Sequence, residues 1–123
     1  MKYLLGADVG TTSLKMVVFD ETLCSVRSVT KDYTLNATGD RVEFPADSYW
    51  DLFSEAYEEV SNGLTIAALA IDTQCETIIF TDEDGRPLRD AIVWLDNRAA
   101  VQAGELQKQF GEKRVYEITG QLR

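Results

Sequence analysis

Residues 6–13 read GADVGTTS, and this stretch decides the fold because it separates two short apolar runs. The runs, Tyr3 to Ala7 and Leu14 to Phe19, have the length and composition of β-strands. Between them, Gly10 allows a close approach of the backbone, and the Thr-Thr-Ser that follows offers three hydroxyl groups. The stretch therefore predicts a β-hairpin whose turn presents backbone N–H and hydroxyl donors to an anion.

An acidic residue, Asp8, lies near the end of the first strand and directly before the turn. A carboxylate repels phosphate, but it can hold a hydrated Mg²⁺ ion that bridges phosphate oxygens. An acid beside a hydroxyl-rich turn therefore indicates a site for a metal and a nucleotide. A simpler interpretation is also open, in which Asp8 and the hydroxyl residues only satisfy the backbone of the turn. A P-loop is excluded, since neither a helix nor Gly-Lys-Ser/Thr follows.

The composition is that of an ordinary folded domain, with 123 residues of which 45% are hydrophobic and 27% charged. The net charge is −9 and lysines and arginines do not cluster, so neither nucleic acid nor an anionic membrane is expected as a partner. The N-terminal apolar run is interrupted by Asp8, which predicts a cytoplasmic protein without a signal peptide. Cys24 and Cys75 lack metal-ligand spacing and the chain has no histidine, so both are expected to be reduced thiols.

Further elements follow the hairpin. A turn at residues 20–22 and a third strand near Val26 to Tyr33 predict an antiparallel three-stranded meander. A loop over residues 36–45 then leads to a helix from about Ala46 to Val60, because apolar residues recur there at spacings of three, four and three. The helix is expected to end near Asn62.

The second half of the chain predicts short strands, a turn and one helix. Ala67 to Ile71 is typical of a buried strand and Ile78 to Thr81 of a second one. The remaining predicted elements are a hairpin-like turn over residues 82–87, a strand from Ala91 to Trp94, and a helix marked by Ala99, Ala103, Leu106 and Phe110 and ended by Gly111. This order predicts an α/β fold. Residues 121–123 bring no hydrophobic element that would close a core, so we expect a cut there instead of a domain boundary.

Two later segments carry a second chemical signal. Residues 71–77 read IDTQCET and residues 84–98 read DGRPLRDAIVWLDNR. In order and spacing they resemble the Gln-x-Glu-Thr and Trp-x-Asp-x-Arg segments that line the sugar site of the FGGY family of carbohydrate kinases. The hairpin is similar to the first phosphate-binding hairpin of the actin-like ATPase fold, and Thr119-Gly120 resembles a Thr-Gly of the family. The resemblance therefore extends over essentially the whole chain.

This resemblance implies a ribonuclease H-like α/β fold of the actin-like ATPase superfamily. Residues 1–123 would be the first part of its N-terminal domain, an antiparallel β-meander leading into a mixed sheet with flanking helices. The resemblance implies ATP and Mg²⁺ as cofactors and a small sugar or polyol as the substrate. The catalytic base, an aspartate in the family, and the C-terminal ATP-binding domain are expected beyond Arg123, so the chain alone is expected to be inactive. The oligomeric state stays open, a homo-oligomer included.

The resemblance also implies a role for each matching residue. Asp8 is the expected metal ligand, and the expected phosphate-binding residues are Gly10, Thr11, Thr12, Ser13 and Lys15, the last of which stands where glycerol kinases have an arginine. The expected substrate-binding residues are Gln74, Cys75, Glu76, Trp94, Asp96 and Arg98. Among these, Glu76 would accept hydrogen bonds from substrate hydroxyls and Trp94 would pack on the carbon skeleton. Asp96 and Arg98 would brace the site.

Some alternatives remain open. Cys75 departs from the pattern, because glycerol kinases carry arginine there and many xylulokinases read Gln-Met-His across this segment, so the substrate is not fixed. Taken singly, Trp94 also fits a buried aromatic residue, Asp96 a helix cap and Lys15 an exposed strand lysine. A non-catalytic domain that binds a polyol or a protein partner is a second candidate function. An actin-like ATPase that drives conformational change is a third, against which the two sugar-kinase segments argue.

Overall fold

The computed structural model describes residues 1–121 and begins with an antiparallel meander. Its strands are β1 (Tyr3–Val9), β2 (Ser13–Phe19) and β3 (Ser25–Asp32), and β2 pairs with both of the others. Along β2 the side chains of Leu14, Met16 and Val18 are fully buried, and the residues between them point to the opposite face of the sheet. The predicted hairpin, the meander and the two faces of β2 are therefore confirmed.

One long helix covers the buried face of this sheet. The helix α1 (Ala46–Ser61) has the predicted bounds within a residue, and its Ala56 and Val60 are fully buried with the apolar residues of β1, β2 and β3. At its C-terminus, Arg27 of β3 donates hydrogen bonds to the carbonyl oxygens of Val60 and Asn62, at 3.1 and 2.8 Å. These bonds satisfy carbonyl groups that have no partner within the helix. The helix α1 is therefore held on the meander both by its buried apolar residues and by the hydrogen bonds at its C-terminus.

A small hairpin that the sequence did not predict lies between β3 and α1. Its strands, β4 (Asn36–Thr38) and β5 (Arg41–Phe44), pair antiparallel on either side of Gly39, whose φ is 59°. The prediction of a plain loop over residues 36–45 is therefore wrong. These strands are only three and four residues long, too short for a periodic pattern to register in the sequence.

The next strand, β6 (Ile66–Thr73), runs parallel to β1 and completes a mixed sheet of order β3-β2-β1-β6. Its existence is confirmed, but the expectation that it is buried is wrong, since Leu69 is 41% and Ile71 54% exposed. The reason is its place at the edge of the sheet, while α1 packs mainly over β2 and β3. Apolar side chains of β6 therefore line open surface in the described part of the chain.

Residues 78–81 do not form the predicted strand. The segment makes only isolated bridges, from Ile78 to Ile92 and from Thr81 to Pro87. The predicted turn over residues 82–87 is confirmed, because the backbone N–H of Arg86 donates to the Asp82 carboxylate at 2.8 Å.

The last strand and two helices complete the described chain. Strand β7 (Ala91–Ile92) is shorter than the predicted Ala91 to Trp94 and pairs with β5, giving a second sheet of order β4-β5-β7. Helix α2 (Ala100–Phe110) ends at Gly111, as predicted, whereas α3 (Glu112–Thr119) was not predicted.

Residues 122–123, part of the segment where we expected no closing hydrophobic element, lie outside the described residues. Within residues 1–121 no helix has the length and apolar character that crossing a membrane requires.

Candidate functional site

The turn between β1 and β2 is tight, and its geometry favours a glycine. The Gly10 N–H donates to the carbonyl oxygen of Ser13 at 2.9 Å, and a Cβ atom at position 10 would lie only 3.1 Å from the same oxygen. The Gly10 N–H is thus already bonded inside the turn. An anion would therefore be met by the side-chain hydroxyls of Thr11, Thr12 and Ser13 and by the other N–H groups of the turn.

A tyrosine that the sequence did not single out holds this turn in place. The phenol of Tyr33 donates to the carbonyl oxygen of Gly10, and the backbone N–H of Tyr33 donates to that of Thr12 at 2.9 Å. Its ring packs against Phe44 and Tyr49, with centroids 4.7 and 5.8 Å away. Burial raises the pKa of Tyr33 to about 12, so the phenol remains protonated and able to donate.

Three charged side chains form a row across the sheet on the face opposite α1. Asp8 of β1 is directly opposite Lys15 of β2 on one side and Asp72 of β6 on the other. Partners in register point to the same face of a sheet, and all three line an open cleft of about 380 Å³, which we call the hairpin cleft. The sequence did not predict Asp72 as a site residue, because only the parallel pairing of β6 with β1 brings it beside Asp8.

The two predicted motifs meet at Trp94. Its indole Nε1–H donates to the hydroxyl oxygen of Thr11 at 2.9 Å, and its backbone N–H donates to the hydroxyl oxygen of Thr77 at 3.3 Å. The side chain is not a buried aromatic residue, since Trp94 is 45% exposed. The structure thus places the Trp-x-Asp-x-Arg segment against both the hairpin turn and the Gln-x-Glu-Thr segment.

Beside the indole lies a cleft of about 560 Å³, which we call the Glu76–Trp94 cleft. The backbone of Glu76 is left-handed, with a φ of 66°, a conformation that is strained in a residue other than glycine. The Glu76 carboxylate accepts a hydrogen bond of 2.5 Å from the amide of Gln121. The lining combines a carboxylate, side-chain amides and the indole of Trp94, which suits a small molecule that carries several hydroxyl groups.

Gln74, close to Glu76 in the sequence, points elsewhere. The side-chain amide of Gln74 donates to the phenol oxygen of Tyr49 at 3.0 Å, and Gln74 lines a separate groove between α1 and β6. Its buried Oε1 atom has no hydrogen-bond partner among residues 1–121. Cys75 is exposed, and its sulfur lies 4.0 Å from the carbonyl oxygen of Thr73. The structure therefore does not bring Gln74 together with Glu76 and Trp94.

Asp96 and Arg98 form an ion-pair network behind the cleft. Arg98 donates to both carboxylate oxygens of Asp96 and to Glu43, each at 2.7 Å, and Asp96 also accepts the backbone N–H of Val42 at 2.7 Å. The Arg98 guanidinium holds the pKa of the Asp96 carboxyl well below its ordinary value. Glu43 accepts from Arg89 as well. Asp96 does not cap α2, whose first turn follows Ala99, and the network ties the loop after β7 to β5.

The arrangement fits the binding of a phosphate with its metal at the hairpin. Asp8 has an exposed carboxylate next to a turn of hydroxyl donors, and Mg²⁺ prefers one or two carboxylates, water and phosphate oxygens. Within residues 1–121 no group of three or more acidic, cysteine or histidine side chains could hold a metal ion by itself. Asp8, with Asp72 nearby, would therefore share the ion with phosphate and water.

Comparisons with known proteins show the family of the chain. A model of the FGGY family of carbohydrate kinases, N-terminal domain, matches residues 3–123. The chain is 34% identical to the glycerol kinase of Natranaerobius thermophilus in an alignment 125 positions long, which covers 96% of this chain and 25% of that enzyme.

Solved structures of the same family share the fold. The xylulose kinase of Lactobacillus acidophilus matches with a TM-score of 0.87 at 28% identity, over 95% of this chain and 24% of that one. The glycerol kinase of Plasmodium falciparum, solved with ADP, matches with a TM-score of 0.78 at 25% identity, over 94% of this chain and 25% of that one. The chain spans about a quarter of the length of these relatives, and the predicted actin-like ATPase fold is confirmed. By its sequence and its fold, the chain belongs to the FGGY family of carbohydrate kinases.

Proposed function

We propose that this chain is the first part of the N-terminal domain of an enzyme that transfers a phosphoryl group from ATP to a hydroxyl group of a small sugar or polyol. The observation that carries the proposal is the hydrogen bond between Trp94 and Thr11, because it sets the Glu76–Trp94 cleft next to the turn of the phosphate hairpin. Phosphoryl transfer needs an acceptor hydroxyl and a phosphate held side by side.

Each side of this site has its own task. Asp8 would hold Mg²⁺, which when bound supplies charge neutralisation at the phosphate oxygens. The hydroxyls of Thr11, Thr12 and Ser13 would donate to the same oxygens, and the Lys15 ammonium would add positive charge across the strand pair. The backbone of Gly10 allows the turn to be this tight.

On the substrate side, Glu76 would accept hydrogen bonds from two hydroxyls and so orient the sugar, while the indole of Trp94 would pack on its carbon skeleton. Cys75 would set the shape of the site, and Gln74 would support the segment through Tyr49. Asp96 and Arg98 would brace the cleft from behind. The base that accepts the hydroxyl proton and the C-terminal ATP-binding domain would come from the rest of the enzyme.

The substrates named for the relatives define the experiment. The complete enzyme would be supplied with Mg·ATP and with glycerol, xylulose and larger ketoses in turn, and release of ADP would be followed by a coupled assay. Turnover of at least one of them above the rate with ATP alone is expected. If a sugar binds in calorimetry but none is phosphorylated, the protein is instead a polyol-binding domain without catalysis.

A further inference from the structure

The indole of Trp94 contacts both halves of the proposed site. One edge of the ring donates its N–H to the Thr11 hydroxyl oxygen at 2.9 Å, while the ring lines the Glu76–Trp94 cleft. Because the side chain is 45% exposed, a molecule in that cleft can reach it. The tryptophan is therefore placed to respond to the substrate and to act on the phosphate hairpin.

The direction of this hydrogen bond decides what Thr11 can do. An indole N–H is only a donor, so the Thr11 oxygen must be the acceptor. The one proton of the hydroxyl then points away from the indole, and the hydroxyl can donate it to another group. Hydrogen bonds in a chain polarise one another, so a Thr11 hydroxyl that accepts from Trp94 becomes a better and better-oriented donor to an anion.

The backbone of Trp94 is held firmly enough to transmit such an effect. The preceding Val93 is 1% exposed, and its N–H donates to the carbonyl oxygen of Val42 at 3.0 Å. The N–H of Trp94 itself donates to Thr77, which belongs to the segment that carries Glu76. Both anchors hold the backbone from which the indole reaches Thr11.

We propose that Trp94 is a positioning residue that acts through Thr11: its N–H orients the Thr11 hydroxyl toward the transferring phosphoryl group, so that a sugar packed on the indole also orders the phosphate hairpin. This role deepens the proposed function and rests on it. It differs from packing alone, because packing needs only the aromatic face of the residue, whereas orientation of Thr11 needs the indole N–H.

The hydrogen bond can be tested on the chain itself, without any substrate. Trp50 and Trp94 give two indole N–H signals in an NMR spectrum, and Trp50→Phe assigns them. Thr11→Val is expected to shift the Trp94 signal and to speed its exchange with solvent severalfold, whereas Thr11→Ser keeps the wild-type exchange rate. Thr12→Val, which removes the neighbouring hydroxyl, is the matched control and leaves the signal unchanged. An exchange rate in Thr11→Val equal to that of the wild type overturns the inference.

The consequence for catalysis is tested in the complete enzyme with the sugar that it phosphorylates best. Trp94→Phe keeps an aromatic face, so KM for the sugar should change by no more than about twofold, while kcat falls about tenfold, the effect of losing one hydrogen bond. Combined with Thr11→Val, it should add no further loss, since both changes break the same contact. Trp50→Phe controls for the loss of an indole elsewhere.

Two other kinetic results would contradict the proposed role of Trp94. A raised sugar KM with an unchanged kcat in Trp94→Phe, or losses that multiply in the double variant, would show that Trp94 only packs on the substrate. If the wild-type enzyme phosphorylates none of the sugars, the proposed function fails, and the exchange rates then decide by themselves whether Trp94 orients Thr11.

Discussion

Tyr33 donates its phenolic hydrogen bond to the carbonyl oxygen of Gly10, and so ties the end of β3 to the turn between β1 and β2. A second bond, from its backbone N–H to Thr12, grips the same turn. The turn between β1 and β2 is therefore held from outside by a residue that is not among the proposed phosphate-binding residues. Its packing on Phe44 makes the hairpin continuous with the aromatic cluster under α1.

The first prediction concerns this support. Tyr33→Phe leaves the ring contacts intact but removes the donor to Gly10, so the free energy of unfolding should fall by roughly 0.5–1.5 kcal/mol, the net worth of one neutral hydrogen bond. Urea denaturation of the two chains measures it. Tyr57→Phe, on the exposed side of α1, is the control and should lie within about 0.5 kcal/mol of wild type. Equal loss in both variants would contradict a special role for Tyr33.

The raised pKa of Tyr33 predicts that the stability of the fold depends on pH in the alkaline range. Its folded pKa of about 12 lies above the ordinary value of 10. The unfolded chain therefore loses this proton first, and the contribution of Tyr33 to stability is complete below about pH 10 and declines as the pH rises toward 12. Unfolding midpoints at several alkaline pH values should fall less steeply in Tyr33→Phe than in the wild type. Parallel slopes would exclude this linkage.

The role of Asp8 is tested by Asp8→Asn in the complete enzyme. Metal placement matters chiefly as charge develops on the transferring group, so kcat should fall by more than tenfold while KM for the sugar stays nearly constant. Steady-state kinetics with varied sugar at saturating Mg·ATP separates the two parameters. Asp51→Asn on the exposed side of α1 is the control. An unchanged kcat with a raised sugar KM would place Asp8 in the sugar site instead.

Glu76 is expected to lower the stability of the fold while it supports substrate binding. Its φ of 66° is strained for any residue with a side chain, so Glu76→Gly should raise the free energy of unfolding by roughly 1 kcal/mol. Both Glu76→Gly and Glu76→Ala should lower kcat/KM for the true sugar ten- to a hundredfold, because a hydrogen bond to a charged group is worth about 1.5–3 kcal/mol. Denaturation and kinetics are measured on the same preparations. A Glu76→Gly variant that is less stable than Glu76→Ala would disprove the strain argument.

Position 75 is expected to set the size of the substrate. A thiol offers little hydrogen bonding and leaves room where glycerol kinases have arginine, so a substrate larger than glycerol is predicted. Cys75→Arg should therefore reduce turnover of that larger sugar severalfold by crowding, whereas Cys75→Ser, of similar size, should not. The readout is kcat/KM across glycerol, ketopentoses and ketohexoses. Glycerol as the best substrate of the wild type would show that this position does not decide size.

The Asp96–Arg98 ion pair predicts a loss of stability in acid. The pKa of Asp96 is lowered chiefly by hydrogen bonds from Arg98. Since the unfolded carboxyl titrates near about 3.9, the stabilisation is complete above that pH and is lost as the pH falls toward the lower folded value. Asp96→Asn should thus be clearly less stable than the wild type at neutral pH, and the gap in urea midpoint should narrow below about pH 4. A gap that is constant with pH would contradict this.

Much of the fold could be predicted because its signals are local. The alternation of Leu14, Met16 and Val18, the spacing of apolar residues along α1, and the glycine after α2 each act over a few residues, and the structure bears out these elements. The predictions that were wrong have a different cause. The burial of β6 depends on which helix covers it, β4 and β5 are too short to show a pattern, and the pairing of β5 with β7 joins segments far apart in the chain.

The same division applies to the candidate site. The sequence by itself determined which residues are predicted to carry the chemistry: an acid before a hydroxyl turn, a carboxylate in the Gln-x-Glu-Thr segment, and a tryptophan followed by Asp96 and Arg98. Only the tertiary structure decided that Trp94 reaches Thr11 across 83 positions of chain and that Asp72 lies beside Asp8. Periodicity and turn chemistry act between near neighbours, whereas contacts between distant segments depend on how strands and loops pack, which no local pattern encodes.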